Sequence, residues 1–206
     1  MAESLGNAQT SNDFDRQPGI LQVDGKTIQF PPVKATCGDQ GIDVSKLRGQ
    51  TGLVALDPGF STTASCTSKV TFIDGGKGVL RYRGYPIDQL ANHSSFLEVA
   101  YLLIKGELPT SAQLDEFVRR VKRQRLLHED FRAFFTAFPS NGHSMAILQG
   151  GIAGMATYYE DTFADVHDLE LQEIQAVQLL AKVPTMISYI AKRAAGLPLL
   201  YPDNER

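Results

Sequence analysis

The spacing of hydrophobic positions changes character once along the chain, near residue 86. From about Ile20 to Tyr85 the apolar residues alternate in short runs separated by turn residues. "ILQV" and "KTIQF" flank Asp24-Gly25, a dipeptide that tolerates the positive φ angles of a two-residue turn, so this stretch predicts a β-hairpin. "KVTFID-GGKG-VLRYRG" repeats the design, with strands over Lys69 to Ile73 and Val79 to Arg83 and the turn supplied by Gly75, Gly76 and Gly78.

From Pro86 onward the period is helical. Ser95 and Glu98 have capping-box spacing ahead of "VAYLLIKG", with Gly106 as the stop. Thr110 and Gln113 repeat the box. After them Leu114, Phe117, Val118 and Val121 fall on one helix face. Phe131, Phe134, Phe135 and Phe138 share the same spacing until Pro139 ends the run. A helix starts near Ser144, and a long one covers roughly Leu169 to Ala195, closed by Gly196 and Pro198. Pro184 lies inside it and is expected to kink or break it, because proline lacks an N–H and clashes with the preceding turn. Between the two, Ala146, Gly150 and Gly154 recur every four residues. Glycine costs a helix about 1 kcal/mol relative to alanine. The pattern therefore predicts a buried helix that a neighbouring helix backbone crosses closely.

Composition narrows the class of protein. Of 206 residues 43% are hydrophobic and 21% charged, a soluble globular mixture. Twenty basic against 23 acidic side chains give a net charge of −3, which argues against nucleic acid or an anionic membrane as partner. No apolar run approaches the roughly 18 residues that would span a bilayer. The first 18 residues carry Glu3, Asp13 and Asp15 without an apolar segment. They read as a disordered tail rather than a secretory or transit signal, and the expected compartment is the cytoplasm. Cys37 and Cys66 lack C-x-x-C spacing and histidine partners, so two reduced thiols are expected, with neither a disulfide nor a metal site.

Gly142-His143-Ser144-Met145-Ala146 looks at first like a nucleophile elbow. An elbow serine needs a buried strand before it and an acid and a histidine after it in that order. Here a helical phenylalanine run and "PSNG" precede, and His167 is the only later histidine. Ser144 is therefore placed at a helix N-terminus, where serine satisfies free N–H groups. "GGKG" lacks the first glycine and the Ser/Thr of a phosphate loop, and "HEDFR" ends on Arg132 where a zinc helix needs histidine. Asp161, Asp165, His167 and Asp168 read as a solvated loop, and Tyr82, Tyr85 and the phenylalanines as core. One cluster stands out: in "RRVKRQR", Arg119, Lys122 and Arg123 share a helix face and Arg125 lies at its flank. A solvated face is the plain account; an anion or nucleotide patch is the sharper one, suited to guanidinium geometry.

Three stretches together resemble the citrate synthase family: "LDPGFSTTASCTSKVTFIDGGKGVLRYRGYPIDQLA", "FLEVAYLLIKGELPT", and "HSMAILQGGIAGMATYYED" with "LLAKVPTMISYIAKRAAGLPLLYPDN". The β-rich start is similar to the bacterial type II members. The resemblance implies a mainly α fold: a tail over 1–18, a short β-hairpin region over 19–85, and over 86–206 an incomplete helical large domain. The family usually reads His-Pro-Met where this chain has His143-Ser144-Met145, which puts Ser144 at the first helical position, with His143 orienting the helix start. The implied chemistry is condensation of acetyl-CoA with oxaloacetate to citrate and CoA, in the tricarboxylic acid cycle. Acetyl-CoA is a substrate, no separate cofactor or metal is needed, and a homo-oligomer, dimer or hexamer, is expected. The family's "H-x-D-H" and "H-G-G-A-N" motifs do not occur in these 206 residues. No catalytic residue is therefore assigned on this chain, which is expected to be the N-terminal part of the enzyme and inactive alone. A 2-methylcitrate synthase and a non-catalytic assembly or regulatory relative are the alternatives. Some bacterial members bind NADH in a basic pocket near this region, with His-Thr where Gln124 and Arg125 stand here.

Overall fold

The computed structural model describes residues 17–159 and 167–203. The expected tail therefore lies, up to residue 16, outside the described residues, as do Asp161 and Asp165. The chain divides into two compact units, Met1–Ile87 and Asp88–Arg206.

The first unit is built from small antiparallel sheets. Strands β1 (Gly19–Val23) and β2 (Lys26–Phe30) pair with Val23 opposite Lys26, so the turn is the expected Asp24-Gly25. Their φ angles of 50° and 75° are those of a type I′ turn. Strands β3 (Pro32–Val33) and β4 (Gly41–Ile42) make a second pair. The Gln40 amide closes the intervening loop by accepting from Ala35 N at 3.0 Å and donating to Ala35 O at 3.3 Å. A five-residue helix, α1 (Leu47–Thr51), follows.

The third sheet orders β5 (Thr71–Asp74), β6 (Val79–Tyr82) and β7 (Tyr85–Pro86) side by side. Asp74 Oδ1 accepts from Lys77 N at 3.0 Å and fixes the glycine-rich turn, as a hairpin and not as a phosphate loop. Two aromatic residues expected in the core stand outside it. Phe60 is 69% exposed on a tight turn at φ 55°, and Tyr85 sits exposed on a two-residue edge strand.

The second unit is helical. Helix α2 (Ile87–His93) leads into α3 (Phe96–Lys105) and α4 (Ser111–Arg123). Both α3 and α4 carry the capping boxes read from the sequence, Ser95 with Glu98 and Thr110 with Gln113. Phe96, also expected in the core, is the first residue of α3 and is 74% exposed. A 3₁₀ turn at Glu129–Phe131 continues as α5 (Arg132–Ala137). Helix α6 is Ser144–Met155, and α7 runs from Leu169 to Ala194. Asp168 accepts from Glu170 N and Leu171 N at the start of α7, so it is a cap and not a free loop carboxylate. Gly196 at φ 69° and the bond from Leu197 N to Lys192 O at 2.8 Å close α7 in a Schellman motif.

Helix α7 is the spine of this unit. Its first half supplies Val177 and Ala181 to a cluster with Ala100 of α3 and Phe117 and Val121 of α4. Its second half supplies Met186, Tyr189 and Ile190 to a cluster with Phe131, Phe135, Ile147, Leu148 and Met155. Glu173 of α7 also receives Lys105 at 2.5 Å and Arg120 at 3.1 Å, and the Lys105 hydrogen bond leads the effects that hold its carboxyl below the usual range.

Of the kink or break expected at Pro184, a break does not occur: α7 runs through it. Side chains on either side bind the end of α4. Lys182, 2% exposed, donates to Gln124 O at 2.6 Å and Leu126 O at 3.2 Å, and Thr185 donates to Arg125 O at 2.9 Å. These bonds and the two clusters offset the roughly 3 kcal/mol that an interior proline costs.

The small residues of α6 also have a different neighbour from the one expected. A Cβ at Gly150 would lie 3.2 Å from Phe134 Cζ, one at Gly151 3.4 Å from Phe135 Cζ, and one at Gly154 3.4 Å from Phe131 Cε2. The glycines admit the phenyl rings of the α5 region rather than another helix backbone. Nor is α6 buried all round: Met145 is 64% exposed.

Candidate functional site

The exposed side of α6 presents an open, mostly apolar face lined by His143, Met145, Ala146, Leu148, Gln149, Ile152 and Ala153, all from this helix and its N-cap. At its head stands the tripeptide singled out in the sequence. His143 is the N-cap of α6, extended at φ −65° and ψ 117°, and its side chain makes no capping hydrogen bond. Ser144 is the exposed first residue of the helix. It therefore occupies the first helical position, where proline is favoured, and does not cap the helix as expected from serine's usual role. A hydroxyl one residue inside the helix has missed the N-cap geometry.

Helix α4 ends at Arg123, which separates the cations of the Arg119–Arg125 cluster. Arg119 pairs with Glu116 at 2.5 Å. Arg125, beyond the helix, donates to the Asp203 carbonyl at 3.4 Å. Lys122 and Arg123 lie in the last turn, where positive charge is favoured by the helix dipole, and neither pairs with an acid among the described residues. The structure thus leaves Lys122 and Arg123 without an ion pair among the described residues and engages the two ends of the patch elsewhere.

A polar cluster around Tyr201 has no counterpart among the sequence motifs. The Tyr201 hydroxyl donates to Glu129 Oε2 at 2.6 Å and accepts from Arg132 Nη1 at 2.7 Å, while the Arg132 guanidinium lies 4.7 Å from the ring centroid. Arg132 also donates to Leu199 O at 3.3 Å, so the segment after α7 is tied across the start of α5. The Tyr201 hydrogen bond is the leading reason that the Glu129 carboxyl sits below the usual range. The partners are about seventy residues apart in sequence, and no local pattern announces them. Lys182 is equally silent in the sequence: burial pushes its ammonium pKa down, and backbone carbonyls and the Tyr159 ring, 5.1 Å away, surround it. Cys37 and Cys66 are exposed free thiols. Among the described residues, no three His, Cys, Asp or Glu side chains form a metal-binding group, and no helix is long and apolar enough to cross a membrane.

Comparison with known proteins gives one consistent result. The family described as "Citrate synthase, C-terminal domain" matches residues 59–206. Citrate synthase 1 of Mycobacterium tuberculosis is 46% identical over 184 residues, covering 89% of this chain and 42% of the relative. The chain therefore spans less than half the length of that protein. Citrate synthase from Pyrobaculum aerophilum superposes with a TM-score of 0.67 at 27% identity, covering 93% of this chain and 44% of its own. Citrate synthase from Thermoplasma acidophilum, solved as a ternary complex with carboxymethyl coenzyme A and oxaloacetate, shares the fold alone. It is 20% identical, with a TM-score of 0.66 over 72% of this chain and 39% of its own.

Proposed function

This chain is a member of the citrate synthase family, and from that premise we propose that it forms part of an enzyme condensing acetyl-CoA with oxaloacetate to give citrate and CoA. The observation that carries the proposal is the 46% identity to a citrate synthase along 89% of the chain. The reaction removes a proton from the acetyl methyl group, joins the resulting enol to the ketone carbon, and hydrolyses the citryl thioester. General acid–base groups and oxyanion stabilisation carry such steps.

The residues of this chain have a supporting part in that scheme. Helices α6 and α7 form a rigid pair around the Phe135 and Tyr189 rings, and α6 begins at the His143-Ser144-Met145 tripeptide. The groups of the H-x-D-H and H-G-G-A-N motifs are required for the chemistry and do not occur in the sequence. The 206 residues by themselves are thus proposed to be inactive, and the working protein to be a cytoplasmic homo-oligomer that takes no metal.

Two assays test this. The product of the whole reading frame containing these residues releases CoA from acetyl-CoA only when oxaloacetate is present, and the 206-residue chain alone does not. Absence of turnover in the former, or turnover by the latter, overturns the assignment; faster turnover of propionyl-CoA transfers it to 2-methylcitrate synthesis. The basic patch is proposed as an anion surface centred on Lys122 and Arg123. It is removed from consideration if Arg123→Glu leaves ATP affinity unchanged.

A further inference from the structure

A pocket of about 490 Å³ lies between α3, the end of α4, one face of α7 and the segment after α7. That volume is within the range of small-molecule sites. Its walls are mostly apolar, with Leu97, Val121, Leu180 and Pro184 among them. Ser188 and Lys192 line it as well, four residues apart on α7 and so on one face of the helix. Among the described residues the Lys192 ammonium pairs with no acid.

The outer wall is fixed in place. Leu200, Tyr201 and Pro202 form it, and Tyr201 is held by Glu129 at 2.6 Å and Arg132 at 2.7 Å. A wall pinned by a hydrogen-bonded aromatic residue does not have to be ordered when a ligand arrives, which removes part of the cost of binding. Arg125 also lines the pocket but is engaged with the Asp203 carbonyl at 3.4 Å, so Lys192 is the cation proposed for a ligand.

We propose that this pocket binds a medium-chain carboxylate, its head between Lys192 and Ser188 and its tail along α7 toward Leu180. From Ser188 back to Leu180 is eight residues, about 12 Å of helix at 1.5 Å per residue, which suits an extended alkyl chain rather than a compact polar ligand. The charge of Lys192 complements a single anionic head. The polar side chains along the length beyond it, Thr185 and Arg125, donate to Arg125 O at 2.9 Å and Asp203 O at 3.4 Å, and two are too few for the several oxygens of a nucleotide. The site is separate from the Lys122–Arg123 surface and does not depend on the condensation reaction.

Octanoate binding to the product of the reading frame that contains this chain, followed by calorimetry, tests the proposal. Saturable binding of one octanoate per chain is expected. Lys192→Gln weakens it by about tenfold or more, because the head loses its cation. Acetate, which has the head without the tail, binds at least about tenfold more weakly than octanoate. Ser188→Phe, which fills the pocket from an exposed position, abolishes binding, and Arg123→Glu leaves it unchanged. No octanoate binding, or unchanged affinity in Lys192→Gln, overturns the proposal. Lys192 lies in the last turn of α7, so the mild change to glutamine there still decides the matter if Ser188→Phe fails to fold.

Discussion

The two units of this protein solve the folding problem by different means. Before Ile87 Phe30 is the one buried hydrophobic residue among those described, while the helical unit holds the remaining buried apolar side chains, from Leu90 to Ile190. The first unit is held by short-range hydrogen bonds. Asp57 shows the pattern: its carboxylate accepts from Ser61 N at 3.1 Å, Thr62 N at 2.8 Å and the Thr63 hydroxyl at 2.7 Å. The second unit is held by apolar burial across long sequence separations, with α7 joining two clusters. Local bonds set conformation cheaply but remove little surface from water; burial contributes roughly 25 cal/mol per Å² of apolar area. The difference predicts that substitutions in the helical unit act on global stability and those in the β-rich unit act locally.

The largest effect should come from the centre of the second cluster. Phe135 is 1% exposed and meets Tyr189 at a ring separation of 5.7 Å. Phe135→Ala is expected to lower unfolding free energy by about 3–5 kcal/mol, read by urea denaturation followed by circular dichroism. A loss below about 1 kcal/mol would mean that this cluster is not the core.

A smaller loss is expected at the opposite face of the same contact. Leucine at Gly151 must displace the Phe134 and Phe135 rings that a Cβ would already touch at 3.5 and 3.4 Å. Overpacking of this kind costs about 1–3 kcal/mol. If small residues were present only to let a helix backbone approach, the thermal midpoint would not depend on ring size. Gly151→Leu combined with Phe135→Leu should therefore recover part of the loss.

Smaller still is the cap of α4. Thr110→Ala removes the acceptor for Gln113 N and should cost about 1 kcal/mol in the same denaturation measurement.

The smallest effect on global stability, and the sharpest local one, belongs to Asp57. The Thr63 hydroxyl leads the hydrogen bonds that lower its carboxyl from the usual 3.8 to about 2. A carboxyl depressed in the folded state stabilises above its unfolded value and loses that contribution as pH falls through the folded one. The loop should thus stay ordered at about pH 4 and open toward about pH 2. Protection of the Ser61 and Thr62 amides, relative to the intrinsic exchange rate at each pH, should fall over that window in the wild type; in Asp57→Asn it should be low throughout. Equal protection in both would remove Asp57 as the organiser of the loop.

Much of this architecture was legible because its signals are local. The Asp24-Gly25 turn, both capping boxes and the Gly196 stop each depend on residues within a few positions of one another, where steric and hydrogen-bonding rules suffice. The tripeptide at 143–145 marked the start of α6 for the same reason. The patch at Arg119–Arg125 was legible as composition only, since its outer members are drawn away by Glu116 and by the chain at Asp203.

Sequence alone thus determined the two main hairpins, the capped starts of α3 and α4, the start of α6, the extent of α7 and the family to which the chain belongs; the short strands β3, β4 and β7 and the helix α1 carried no signal that was read. Tertiary structure decided what those elements do to one another. It let α7 continue through Pro184, because Lys182 and Thr185 on either side bond to the end of α4. It turned the glycines of α6 into seats for phenyl rings, left one side of that helix exposed, and brought Tyr201 onto Glu129 and Arg132. Each of these depends on groups far apart in the chain meeting in space, and hydrophobic periodicity records which face of an element is apolar without recording what will cover it.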